Sequence, residues 1–368
     1  MNSFYKIAIP LLFFIQYLGL GAIAQIVILL FVVIELFRGT KIYLSDVDKF
    51  LFFGVVVIFI FKSIQVPMDV NVHLFKFYWG FTLFYLFFRV TKFKINFLLL
   101  FWITAIVSLV EGILINTILP IGVLKNIPVA HIEEMSNEID IGLLKRAYGL
   151  ANSPTSSATI LIMLLTCVYS FQREKFKDYF ILITAVSLVS FSSGTGFLLF
   201  FIFLFVKYKL YKGFKLLIGL CAVFGAVFFV LNQDINEGGI LMRMSGNYFG
   251  TLIELKSMQI TDVWDKISKS IYDIIFGASY ESIGDSRVMS DFGWIDFLEC
   301  YGFIGIPMFI SFLIFKKLFF TFPIMIMILG YFHYPAIGSI PGQILIAGII
   351  SYHYNVSNYF VDTSVAVK

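Results

Sequence analysis

Apolar runs bounded by charge or by Pro and Gly succeed one another along most of the chain. Their lengths approach the roughly 20 residues that a helix needs to cross a bilayer core. They predict spans near 7–19, 21–37, 50–66, 73–89, 95–118, 154–171, 179–191, 196–208, 214–231, 293–315, 318–333 and 336–353. The expected fold class is therefore all-α: a polytopic integral membrane helix bundle of about 12 (range 10–12) transmembrane helices, with two large outer loops. No alternating strand pattern suggests a barrel. Only Gly19 and Gly21 interrupt 7–37, so this stretch reads either as two spans or as one long tilted helix. It also imitates a secretory signal, with Lys6, an apolar stretch and Ala22-Ile23-Ala24 in the manner of a cleavage site. The uncleaved reading is preferred because the apolar run continues to Phe37.

Composition agrees with lipid as the solvent. Hydrophobic residues make up 60% of the 368 positions and charged residues 14%, with 45 Phe and 19 Tyr. A soluble domain could not bury that much apolar surface. The formal net charge is only +4, which argues against nucleic acid as a partner. Cys167, Cys221 and Cys300 are scattered in or beside apolar runs without a CxxC, a pattern of neither a disulfide framework nor a zinc site.

Where the charges fall sets the expected orientation. Loops 38–49, 89–94, 173–178, 207–215 and 316–317 hold fifteen Lys and Arg against four acids, whereas 67–72, 192–195 and 334–341 hold no Lys or Arg. The basic loops are expected to be cytoplasmic. The chain then divides into N-terminal helices (1–118), a first large periplasmic loop (119–153), central helices (154–231), a second large periplasmic loop (232–292), and C-terminal helices with a short cytoplasmic tail (293–368).

The candidate chemistry lies in the two long loops. In the first, Ser153 is a good N-cap and Pro154 suits a first helical turn, which puts Arg146, Tyr148 and Gly149 about two turns before a helix N-terminus. An arginine fork there offers paired donors to a phosphate. Equally, it is a solvated arginine balancing Glu133, Glu134, Glu138 and Asp140. In the second loop, Ile260, Val263, Trp264, Ile267, Ile271 and Ile274 recur at helical spacing, predicting an amphipathic helix over 262–275 that Gly277 ends, on the bundle or at the lipid interface. Arg243 precedes it, and a Gly-rich segment with Glu281, Asp285, Arg287 and Asp291 follows. That composition suits a shaped site or an ordinary solvated loop.

Within the spans, Lys62 and Lys76 are near outer ends, where snorkelling is cheap. Glu111, Asp296 and Glu299 are costlier at membrane depth. For Glu111 a structural ion pair is favoured over catalysis, with Lys62 or Lys76 as candidate partners if their helices are neighbours. Asp296 and Glu299, three apart, share a helix face and are open between a structural ion pair and catalysis. No phosphate loop, HExxH, nucleophile elbow or CxxC occurs, and His73, His131, His333 and His353 are too dispersed to indicate a metal.

The order of features resembles the O-antigen polymerase and O-antigen ligase superfamily of bacterial inner-membrane glycosyltransferases (Wzy-type polymerases among them). The resemblance rests on RAYGLANSPTSSA (Arg146 to Ala158), SFSSGTGF (Ser190 to Phe197), Arg243, and the stretch from Ile275 to Pro307. It covers most of the chain in architecture. Two departures stand out: Gly194 and Thr195 follow Ser193 where the superfamily often has a Ser-Arg pair, and Asp291 lies nearest the place of the ligases' late-loop histidine. The second favours a polymerase over a ligase. The resemblance implies transfer of a growing glycan from undecaprenyl pyrophosphate to another lipid-linked oligosaccharide repeat unit at the periplasmic face, with no cofactor, with membrane lipid around it and a chain-length regulator protein as a partner. Arg146, Arg243 and Arg287 would stabilise the pyrophosphate. Asp291, Glu281 or Asp285 would take the acceptor proton. Tyr148, Gly149, Tyr280 and Trp294 would contact substrate. An O-antigen ligase and a polysaccharide flippase or transporter are the alternatives, the latter expected to show repeated halves and midplane charges.

Overall fold

A computed structural model describes residues 2–40, 42, 44–115, 146–210, 246–283, 293–333 and 336–365. All regular structure among them is helical: α1 (Asn2–Ile15), α2 (Gly21–Phe37), α3 (Asp46–Gln65), α4 (Met68–Leu74), α5 (Lys76–Thr91), α6 (Phe97–Ile113), α7 (Pro154–Phe171), α8 (Tyr179–Phe191), α9 (Gly194–Lys207), α10 (Gly246–Ile267), α11 (Ile271–Phe276), α12 (Tyr280–Ile283), α13 (Gly293–Phe315), α14 (Phe322–Gly330) and α15 (Ile340–Val365). The expected span at 214–231 lies outside the described residues. Among the described residues two helices, α7 and α13, are long and apolar enough to cross a membrane, a test of length and composition that a buried core helix also passes. Six more apolar helices or helix segments of 10–17 residues accompany them.

The chain forms two compact units. The first comprises Met1–Gln16, Leu20–Phe97 and Gln259–Lys368. The 7–37 stretch is two helices rather than one, turned back at Gly19 (φ 75°). Phe4 meets Phe31 at 5.5 Å, and the Tyr5 hydroxyl donates to Glu35 at 2.5 Å, so α1 and α2 run antiparallel. The expected connection 67–72 is mostly helix α4, because Asn71 Nδ2 donates to Phe59 O (3.1 Å) and Ser63 Oγ (2.7 Å) and ties it back onto α3. Helix α5 packs on α2 and α15. Its aromatic face meets α13: Tyr78 lies edge-on to Tyr301 at 4.8 Å, and Phe77 and Phe81 lie edge-on to Phe309. Both tyrosines spend their hydroxyls on backbone carbonyls, Tyr78 on Gly305 (2.8 Å) and Tyr301 on Leu74 (2.7 Å), as buried phenols require.

The second unit comprises Tyr17–Gly19 and Leu98–Met258. Helix α7 is its centre, buried from Pro154 to Val168 and packed by α8 and α9. Its start is set locally, since the Ser153 side chain accepts from Ser156 N and Pro154 opens the first turn. Ser193 caps α9 in the same way, through Gly196 N at 3.2 Å.

The single amphipathic helix expected over 262–275 is corrected. Helix α10 ends at Ile267 and α11 begins at Ile271. The Ser270 hydroxyl accepts from Asp273 N at 3.0 Å, so a serine N-cap starts a new helix where the apolar period alone ran on.

Candidate functional site

In the second unit the residues singled out around Arg146 form one hydrogen-bonded assembly. Ala147 N donates to Ser190 O (2.8 Å) and Arg146 Nε to Phe191 O (3.1 Å), so this segment satisfies the last carbonyls of α8. A cation at a helix C-terminus is also favoured by the helix dipole. The Ser157 hydroxyl on α7 donates to Tyr148 O (2.6 Å) and accepts from Ala151 N (3.0 Å). Gly149 N donates to the buried carboxylate of Glu111 at 2.7 Å. Gly149 has φ +65°, and a Cβ there would lie 2.7 Å from the Phe191 ring and 2.8 Å from Ser157. Ser193 Oγ and Thr155 Oγ1 lie 3.4 Å apart, joining the two motif segments again. Arg146 is half-buried and Tyr148 buried. The guanidinium is thus positioned by the end of α8, a partner that spacing to α7 had not indicated.

In the first unit the end of α11 passes close over α13. Ala278 N donates to Glu299 O (2.9 Å), and Lys62 Nζ, fully buried, donates to Ala278 O (2.6 Å). Gly277 (φ +88°) and Gly302 (φ +61°) allow this approach, because a Cβ on Gly302 would collide with the Ile275 and Gly277 backbones. Lys266 on α10 bridges Asp262 (2.7 Å) and the buried Glu299 (3.0 Å). Burial lowers its pKa, but the bonds to Asp262 and Glu299 outweigh that and hold it above the ordinary lysine value. Gln65 Nε2 donates to Asp273 at 2.8 Å. Tyr280 and Glu281 open α12 directly after this junction, Tyr280 half-buried and Glu281 exposed. Trp294 spends its indole N–H on Ile328 O (3.2 Å) and packs edge-on against Tyr331 at 4.8 Å, which fixes the start of α13 to α14.

Arg243, Asp285, Arg287 and Asp291 lie outside the described residues. Among the described residues no group of three or more His, Cys, Asp or Glu could hold a metal ion. Sequence reasoning missed Ser157 and Ser190. The only signal for Ser157 was the density of hydroxyl side chains in its segment, and Ser190 acts through its backbone carbonyl, which no residue type marks.

No protein-family model, curated protein or solved structure matches this chain.

Proposed function

We propose that the chain is a multi-pass protein of a bacterial inner membrane that polymerises polysaccharide repeat units, O-antigen or capsule, at the periplasmic face. The membrane reading is supported by an inverted exposure pattern. Phe53 (70% exposed), Ile64 (73%) and Leu182 (67%) face outward on their helices, while Asp48, Lys62, Asn71 and Gln343 are fully buried. Apolar surface of that extent is favourable against lipid and unfavourable against water. The ends of the first unit add to this: Arg89 and Lys316 meet Asp48 at one end of α5, and Lys76 opens the other end, about 20 Å away at 1.5 Å per residue.

The observation that carries the functional reading is the union of the two motif segments. Arg146 to Ser153 and Ser190 to Ser193, about 40 residues apart in the chain, form one assembly around buried Glu111. In the proposed reaction the acceptor hydroxyl of a lipid-linked repeat unit attacks the anomeric carbon of the growing glycan. The bond to undecaprenyl pyrophosphate breaks as the new glycosidic bond forms. The acceptor proton passes to one of Glu281, Asp285 and Asp291, and arginines (Arg146, Arg243, Arg287) stabilise the departing pyrophosphate, so no metal is required of the chemistry.

The test is a surface-glycan gel, with lipid-linked intermediates analysed alongside, from the source bacterium with and without the gene. Surface lipid carrying a single repeat unit in the deletion supports the polymerase. Polymer held on the undecaprenyl carrier identifies a ligase instead, and single repeats trapped on the cytoplasmic side identify a flippase.

A further inference from the structure

Among the described residues, the elbow formed by α10 and α11 carries a set of exposed apolar side chains. Ile260, Trp264, Ile271 and Ile275 are exposed, while Val263 and Ile267 on the neighbouring face of α10 are buried. The exposed set continues the outward face of α3. Phe276 stacks on Phe61 at 5.0 Å with the rings 13° apart, and the Tyr272 hydroxyl donates to Phe61 O at 2.6 Å. The end of α3 adds exposed Ile60, Phe61 and Ile64 to the same band.

We infer that this elbow is an interfacial anchor, with Trp264, Ile271 and Ile275 immersed at the boundary between the headgroups and acyl chains of the outer leaflet. The inference rests on the membrane reading of α3. Along that helix the outward face runs from Phe53 to Ile64, about 16 Å at 1.5 Å per residue, so the band rises toward one helix end and the elbow continues it there. Tryptophan beside charge suits that layer, where a ring with an apolar body and a polar N–H is most at home. The charges are mixed: Asp262, Asp265 and Asp273 accompany Lys266 and Lys269 over 259–276. Affinity therefore comes from apolar burial and needs no anionic lipid. Lys266 to Glu299 and Gln65 to Asp273 hold the elbow to α13 and α3, so it cannot swing free. Helix α12, with Tyr280 and Glu281, begins one residue after Gly277 and Ala278. The anchor thus sets the height of a candidate proton acceptor at the level of a lipid-linked pyrophosphate.

The test uses the full chain in phosphatidylcholine nanodiscs, with nitroxides placed one at a time at Phe53→Cys, Ile271→Cys and Asp265→Cys. Relaxation by oxygen, which prefers lipid, is compared with relaxation by a water-soluble nickel chelate. The oxygen-to-chelate ratio is expected to be highest at 53, intermediate at 271, and several-fold lower at 265 than at 271. A ratio at 271 equal to that at 265 overturns the anchor while leaving the membrane reading intact. A low ratio at 53 overturns the membrane reading itself. A label at 271 shielded from both reagents means that protein, such as a second copy of the chain, covers the face, and it also overturns the anchor.

Discussion

The backbone amide of Gly149 donates to the carboxylate of Glu111 at 2.7 Å, and both groups are buried. The contact ties the segment that carries Arg146 to α6. Replacing Glu111 by Ala leaves a buried N–H without its acceptor, at a cost of about 1–3 kcal/mol. Glu111→Gln retains a side-chain oxygen and is expected to lose less. Thermal unfolding of the two variants in detergent checks the order, with the alanine variant melting lower.

Gly149→Ala is expected to be more damaging than its size suggests. The left-handed backbone costs a residue with a Cβ roughly 1–2 kcal/mol, and the new carbon would press on Phe191 and Ser157. The same melting measurement, with the polymer ladder read in parallel, should show a destabilised protein and shortened or absent polymer. A variant that melts like wild type would contradict the geometry.

The Asp48 node gives a pH dependence. Asp48 accepts from Lys316 (2.6 Å), Tyr85 (2.7 Å) and Ser45 (2.8 Å), and it precedes the span expected over 50–66. Burial alone raises its pKa, yet the bonds from Lys316, Tyr85 and Ser45 outweigh it and leave the carboxyl below the usual carboxylate value. Its folded pKa is therefore below its unfolded one, near 3.9. The stabilisation is fully present above the unfolded value and is lost as pH falls through the folded one. Melting temperature should fall as the medium is acidified below about pH 4, and Asp48→Asn should flatten that fall. Lys316→Met removes one partner of a buried charge and is expected to cost about 3 kcal/mol or more at neutral pH.

How much was legible in the sequence depended on whether the deciding interaction was local. The bounds of α2, α7, α8 and α13 agree with the apolar runs; the turn at Gly19, the Ser153 cap with Pro154, and the left-handed Ser192 that ends α8 each act within a turn. The break before α11 was hidden because Ile267, Ile271 and Ile274 keep helical spacing across it, while Ser270 capping Asp273 N gives no change in that period. The meeting of Gly277 with Gly302 joins residues 25 apart through backbone shape alone. Glu111 has a partner that the sequence did not suggest. It accepts a backbone N–H, a donor present at every residue except proline, so no sequence pattern marks it. Of the expected site, Arg146, Tyr148 and Gly149 stand together, whereas Trp294 is engaged in packing.

Arginine substitutions separate stability from chemistry. Arg146→Ala removes the Nε bond to Phe191 O and is expected to lower both melting temperature and polymer. Arg243→Ala and Arg287→Ala are expected to abolish polymer while the protein remains in the membrane at wild-type amount, read by glycan gel and immunoblot. A normal ladder from either would remove that arginine from the proposed site.

The most direct measurement is reconstitution. The purified chain in liposomes, supplied with undecaprenyl-pyrophosphate-linked repeat units and EDTA, is expected to release undecaprenyl pyrophosphate and yield a ladder of products longer than one repeat. Intact single repeats, with no released carrier lipid from a folded protein both with and without EDTA, would contradict the polymerase.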